Sequence, residues 1–351
     1  MTDDLVAGSP EWLSGTKNTN DDDRIRTERF MSQQELDFDD VRTNFANCPE
    51  PGVHRDVDFE AYRSWTAVNS GVVTWGTVSM RHFQAALNGE LSNDDSKSRK
   101  FGRAVHTRLL EPEVYKQRVL VSQPCCAVLK SGDRKGVVCG KSSSCIDENM
   151  QWFCGTHKPT DSSVPTDYVS ADEADRIEQL ATELHSHKAM SLLKADGWSE
   201  VSLVFDINGV RMKGRIDRFS QPAKFILDLK KCRVGYGTME ECRKAIGNYG
   251  YMRQMALYRK GVETLLGFTP RCVWLFVEEG SPYQPQIVEA ADWELDHAWS
   301  SVSGIVNAYV AAKERGVFDG YIKFDNDGKI ISSHMGGYPD FMARAIEGGR
   351  A

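Results

Sequence analysis

Three consecutive strand-like segments over residues 199–232 restrict this chain more than any other feature. SEVSLVFDI, 199–207, alternates in part between apolar and polar residues, and Asn208 and Gly209 suit a tight hairpin turn. VRMKGRIDRF, 210–219, alternates through Val210, Met212 and Ile216, and SQPAK, 220–224, is a turn. FILDLKKC, 225–232, places Phe225 and Leu227 on one face and Ile226, Asp228 and Lys230 on the other. A strand face that changes from Ile226 to Asp228 and Lys230 leaves a core and enters a site. Asp217 closes the preceding strand, so the turn brings a second carboxylate near Asp228.

Around this centre the spacing predicts helices. Ser79 caps a helix with Phe83 and Leu87 on one face. Phe101, Val105 and Leu109 mark another, which carries His106, and Pro112 fits a break or a new first turn. Ser170 and Glu173 form a capping-box pattern ahead of a helix to about residue 193. Residues 238–266 read as two helices, or one bent near Gly247 and Gly250. RCVWLFVEE, 271–279, reads as a buried strand, and QIVEA, 286–290, as another. A helix over 292–316 stops at Gly316. The fold class is therefore α/β, a mixed central sheet flanked by helices.

Charge and cysteine are unevenly distributed. Residues 1–60 hold 15 acidic and 6 basic side chains, while the whole chain holds 50 and 43, so the remainder is close to neutral. Residues 1–54 read as an acidic flexible arm with one short helix near 31–44, and residues 316–351 as a Gly-rich extension. Neither a secretory signal nor a long apolar run is read, which points to a cytosolic protein without a membrane partner.

Five of the nine cysteines fall between 125 and 154, inside a stretch at 122–160 with too few apolar residues to fold by burial. That composition fits an insert held by metal. Cys126, Cys139, Cys154 and His157 offer three sulfurs and an imidazole, a set suited to structural Zn²⁺, with Cys125 and Cys145 as possible substitutes. An iron–sulfur cluster competes, but the local spacing and His157 favour zinc. Lys130, Arg134, Lys135 and Lys141 either touch DNA phosphate or face solvent as an ordinary hairpin surface.

Alone, two carboxylates and a lysine are mostly a salt-bridge pattern. Their company is more specific. YRSW (62–65) with SMRHF (79–83), FGRAVHTRLLEPEVY (101–115), GRIDRF (214–219), ILDLKKC (226–232) and YMRQMALY (251–258) occur in this order. The series resembles the PD-(D/E)xK nuclease superfamily, in particular the phage-type branch that includes exonuclease VIII and resembles bacteriophage lambda exonuclease. The resemblance covers about residues 55–315, which it implies form one nuclease domain around the insert. It implies Asp217, Asp228 and His106 as ligands of Mg²⁺ or Mn²⁺, Lys230 as the catalytic lysine, and Gln254 and Tyr258 on a DNA-facing helix. Glu200 supplies a further carboxylate or a partner for Lys230, or is an exposed edge residue. Lys231 stands where the family usually has a small hydroxyl residue, and either touches DNA or faces solvent. The insert resembles small Cys₃His modules of viral and phage proteins.

By the same resemblance, the activity is 5′-to-3′ digestion of linear duplex DNA by a homo-oligomeric ring. It would leave single strands for an annealing protein in recombination. The competing functions are an endonuclease or single-strand-specific nuclease on the same core, an RNA nuclease, and a non-enzymatic zinc-containing DNA-binding or recruitment module.

Overall fold

The computed structural model describes residues 48–91 and 96–321, together with two short strands beyond them. In chain order the strands are β1 (Gly52–His54), β2 (Leu120–Ser122), β3 (Cys145–Ile146), β4 (Trp152–Phe153), β5 (Tyr168–Ser170), β6 (Trp198–Ile207), β7 (Val210–Ser220), β8 (Phe225–Cys232), β9 (Arg271–Glu278), β10 (Pro285–Glu289), β11 (Lys323–Phe324) and β12 (Ile330–Ile331). The helices are α1 (Phe59–Ser64), α2 (Ser70–Gly76), α3 (Met80–Leu87), α4 (Lys97–Leu110), α5 (Pro112–Arg118), α6 (Ala171–Ser186), α7 (Met190–Lys194), α8 (Met239–Asn248), α9 (Tyr251–Leu266) and α10 (Asp292–Arg315). The short helix expected near 31–44 lies outside the described residues.

One mixed sheet of six strands, in the order β1-β6-β7-β8-β9-β10, organises the molecule. β6 and β7 form a long antiparallel hairpin whose turn residues Asn208 and Gly209 both have positive φ, 50° and 74°, as a twist-matched two-residue turn requires. β8 and β9 run parallel, joined through α8 and α9. Residues 52–54, read from sequence as the end of the arm, instead pair with β6 as an edge strand.

β9 is buried on both sides, so apolar residues fill both parities of its sequence. Cys272, Trp274 and Phe276 face a core built with α2, α3, α8, α9 and α10. Val273, Leu275 and Val277 face a second core with α4, α6 and α7. Local signals in the sequence set the helix ends. Ser170 and Glu173 exchange both capping-box bonds, and Gly250 and Gly316 adopt left-handed φ at the expected breaks. Pro112 opens α5 at its first turn.

The insert is built differently. β2 and β5 pair in parallel and bracket residues 123–167. Within, β3 and β4 make a minimal ladder, and Trp152 packs against Tyr168 of β5 with ring centroids 5.6 Å apart. Its innermost cluster is Cys125, Cys139 and Cys154. A buried Leu or Phe contributes roughly 1.5–3 kcal/mol. Ile146 and Trp152 are also buried in the insert, but its centre is thiols, which offer far less, so a bound metal would add to the folding free energy of the insert.

Candidate active site and metal centres

Strand register brings the carboxylates together. Ser199 faces Arg218 and Val201 faces Ile216, so Glu200 and Asp217 fall opposite one another. On the other side Arg218 faces Leu227 as the last pair of the β7–β8 ladder, so the same register carried one step further sets Asp217 across from Asp228 just beyond its end. Glu200 sits at φ 54°, a left-handed backbone that costs a non-glycine residue roughly 1–3 kcal/mol. Here the pleat shifts by one. Val201, Leu203, Met212 and Ile216 face the α9 core on one side of the break, and Trp198 and Phe219 do so on the other.

The open ladder is closed by side chains. Asp217 Oδ2 accepts a hydrogen bond of 2.6 Å from the Leu229 backbone N–H, and His106 Nδ1 from α4 lies 3.5 Å from the same oxygen. One ligand atom from each of His106, Glu200 and Asp217 can be chosen so that all lie within 4.8 Å. Asp228, only 2% exposed, is held by Lys230 Nζ at 2.6 Å from its Oδ2. The structure thus groups Glu200 with Asp217 and His106, while Asp228 pairs with the lysine beside them.

Burial, together with the Asp228 and Glu200 carboxylates, pushes Asp217 well above the ordinary carboxyl range. Burial opposes the charge on Lys230, but Asp228 and Asp217 outweigh it and hold the ammonium above its usual pKa. Burial and then Lys230 lower His106, leaving a neutral imidazole. Crowded carboxylates beside a neutral histidine form a hard-oxygen and nitrogen donor set suited to a divalent cation such as Mg²⁺ or Mn²⁺.

Surrounding elements fix these groups. Arg215 Nε donates to Glu200 Oε2 at 2.6 Å and its Nη1 to the Val57 carbonyl at 2.8 Å. Arg215 is two residues from Asp217 on β7, so alternation along the strand was the available signal; sequence reasoning passed it over. Lys213, 3% exposed, donates to the carbonyls of Tyr62, Arg63 and Trp65. The YRSW segment therefore ends α1 on a buried ammonium from the sheet. Gln254 Nε2 donates to Tyr258 Oη at 2.8 Å, and the Tyr258 ring is seated by Gly214, where a Cβ would lie 2.7 Å from it. Tyr258 is buried rather than presented on an open face.

Lys231 corrects its sequence reading. It is not free in solvent: α4 covers that side of β8, and Lys231 Nζ bonds Glu279 at 2.6 Å and Ser98 at 3.0 Å. Lys130, Arg134, Lys135 and Lys141 are exposed on the insert.

The second cluster also corrects an expectation. Cys125, not Cys126, joins Cys139, Cys154 and His157. The adjacent residues point opposite ways in an extended segment: Cys125 is fully buried, while Cys126 is exposed with its sulfur toward Gln151. Cys145, the other substitute, is directed to the Phe153 carbonyl. His157 Nδ1 lies 3.6 Å from Cys125 Sγ and 3.4 Å from Cys154 Sγ, and the sulfurs of Cys139 and Cys154 are 4.0 Å apart. Tetrahedral zinc with ordinary bond lengths requires edges of about 3.5–3.8 Å. The cluster fits that ion. Burial opposes ionisation of Cys154, but the N–H groups of His157 and Thr156 outweigh it and bring the thiol down to about 6, toward the thiolate that ligates zinc.

The sheet, the flanking helices and the carboxylate–lysine constellation define a PD-(D/E)xK-like nuclease fold. Residues 69–321 match the family described as a PDDEXK-like domain of unknown function (DUF3799), and the chain belongs to that family. Among solved structures, it is similar to a protein of Eubacterium rectale described as a "putative exonuclease". The two are 12% identical, with 77% of this chain and 91% of that one covered and a TM-score of 0.49. It is also similar to SSO0001, at 13% identity over 40% of this chain and 68% of that one, with a TM-score of 0.23. No curated protein matches the sequence. No helix among the described residues is long and apolar enough to cross a membrane.

Proposed function

We propose that the chain is a Mg²⁺- or Mn²⁺-dependent deoxyribonuclease. The observation that carries this reading is the meeting of Glu200, Asp217, Asp228, Lys230 and His106 at the point where the β7–β8 ladder opens. Glu200, Asp217 and His106 would hold the catalytic ion, with Asp228 beside them. When bound, that ion supplies neutralisation of phosphate charge and a more acidic water. Lys230, whose Nζ lies 2.6 Å from Asp228 Oδ2, is positioned to stabilise negative charge on the phosphoryl oxygens. Arg215 orients Glu200, and the Leu229 N–H orients Asp217. Gln254 and Tyr258 buttress the site from α9.

Within this class we favour an exonuclease acting 5′-to-3′ on linear duplex DNA, yielding single strands for an annealing protein during recombination in a phage-infected or bacterial cell. The motif order supports that reading. A ring-like homo-oligomer is part of the same proposal. Zn²⁺ on Cys125, Cys139, Cys154 and His157 would be structural, because four protein ligands complete its shell. The exposed basic residues of the insert are then available to DNA phosphate.

Digestion of linear duplex labelled at one 5′ or one 3′ end tests activity and polarity together. Progressive Mg²⁺-dependent loss from the 5′ end is expected, with a closed circle left intact. Equal digestion of the circle would replace the exonuclease with an endonuclease.

A further inference from the structure

An aromatic row leads from Lys230 to open solvent. Lys230 Nζ lies over the Tyr251 ring, 4.5 Å from its centroid. Tyr251 meets the Tyr249 ring at 5.6 Å, and Tyr249 is 69% exposed. Gly250 between them, at φ 71°, turns the chain into α9. Beside it, Arg253 Nη2 lies 3.0 Å from where a Gly250 Cβ would stand. The Arg253 Nε is buried with no hydrogen-bond partner, and no carboxylate among the described residues pairs with the guanidinium. α2 runs alongside: Thr74 Oγ1 is 3.5 Å from the same Cβ position. The next residue, Trp75, is exposed and stacks on His82 with centroids 5.8 Å apart and planes 12° apart.

Tyr249 offers an exposed ring, Tyr251 leads from it to Lys230, and the Arg253 guanidinium lies at the Gly250 turn between them; such a row fits a particular ligand. Every nucleobase has a π-face, and every nucleotide a phosphate that arginine can hold. Bases within a duplex already stack on their neighbours and cannot use these rings. We propose that Tyr249 and Tyr251, with Arg253, form a stacking track that takes unpaired nucleotides of a DNA strand toward the Asp217–Lys230 site. This inference rests on the nuclease reading and narrows its substrate: the strand entering the site is frayed or single before it is cut.

The test is fluorescence anisotropy of the full chain with a short labelled oligothymidylate, in Ca²⁺ to suppress cleavage, against a blunt hairpin duplex. Tyr249→Ala should weaken oligothymidylate binding roughly 5- to 150-fold, the usual range for one stacked base. Tyr249→Trp should retain binding, and the hairpin should bind Tyr249→Ala as it binds the unaltered protein. Arg253→Ala should weaken oligothymidylate binding and flatten its salt dependence. Unchanged melting temperatures verify that the variants fold. Wild-type affinity of both alanine variants for oligothymidylate overturns the track, as does an equal loss for hairpin and oligothymidylate. A parallel Mg²⁺ cleavage assay of the unaltered protein separates the two readings. Cleavage with Tyr249-independent binding removes the track alone, whereas Tyr249-dependent binding without any cleavage removes the nuclease and leaves a single-strand binder.

Discussion

At neutral pH Asp217 faces Asp228 and Glu200 with little water to spread their charge. Its raised pKa means that the folded protein binds this proton more tightly than the unfolded chain. That contribution to stability is full below about pH 4, the ordinary carboxyl value, and is lost as pH rises toward the raised value. A bound cation opposes the loss. Metal-free Asp217→Asn protein is therefore expected to melt higher than unaltered protein at pH 7, and to gain no melting temperature from Mg²⁺. Scanning fluorimetry with and without Mg²⁺ reads both effects; a lower metal-free melting temperature would show that carboxylate repulsion is not the governing force. Arg215 acts one step out. Arg215→Met should reduce Mn²⁺ affinity by roughly 10- to 100-fold, the usual range for a residue that orients a metal ligand, with partial recovery in Arg215→Lys. Titration calorimetry measures that directly.

Helix α9 shows how an element delivers a residue. Gly214 and Gly261 let it press on β6 and β7, and a Cβ on Gly261 would lie 2.8 Å from the Phe205 ring. Gly261→Val should lift the helix and destabilise the fold by roughly 1–3 kcal/mol in urea titration. Signals carried by a few neighbouring residues were readable in the sequence: the Asn208-Gly209 turn, the Ser170 capping box, the breaks at Gly250 and Gly316. So were the strand faces of Asp228 and Lys230, because alternation fixes them. What escaped depended on contacts across the fold. Lys231 meets Glu279 only because β8 and β9 are parallel neighbours. Glu200 meets Asp217 only because of β6–β7 register, and the left-handed backbone at Glu200 has no sequence signature. The same reason hid the choice between Cys125 and Cys126, since either parity of an extended pair can turn inward. Elemental analysis should find about one zinc per chain in Cys126→Ser and a marked loss in Cys125→Ser. The opposite pattern would return Cys126 to the ligand set.

Across the whole molecule, the two proposed metals serve separate units. The large apolar cores hold the six-stranded sheet without the insert, whose own centre is three cysteines and a histidine. Zinc removal by a chelator should accordingly expose amides within residues 123–167 to hydrogen exchange and leave β6–β9 protected. Simultaneous loss of protection in both would make the insert part of the core. The catalytic unit is tested by incubating end-labelled linear DNA and Mg²⁺ with unaltered protein, Asp217→Asn and Lys230→Met. The site geometry predicts Mg²⁺-dependent cleavage by the unaltered protein, abolished by EDTA and reduced at least about a thousandfold in each variant, as expected when transition-state charge stabilisation is removed. Undiminished cleavage by both variants, or none by the metal-loaded unaltered protein on any DNA, would contradict it.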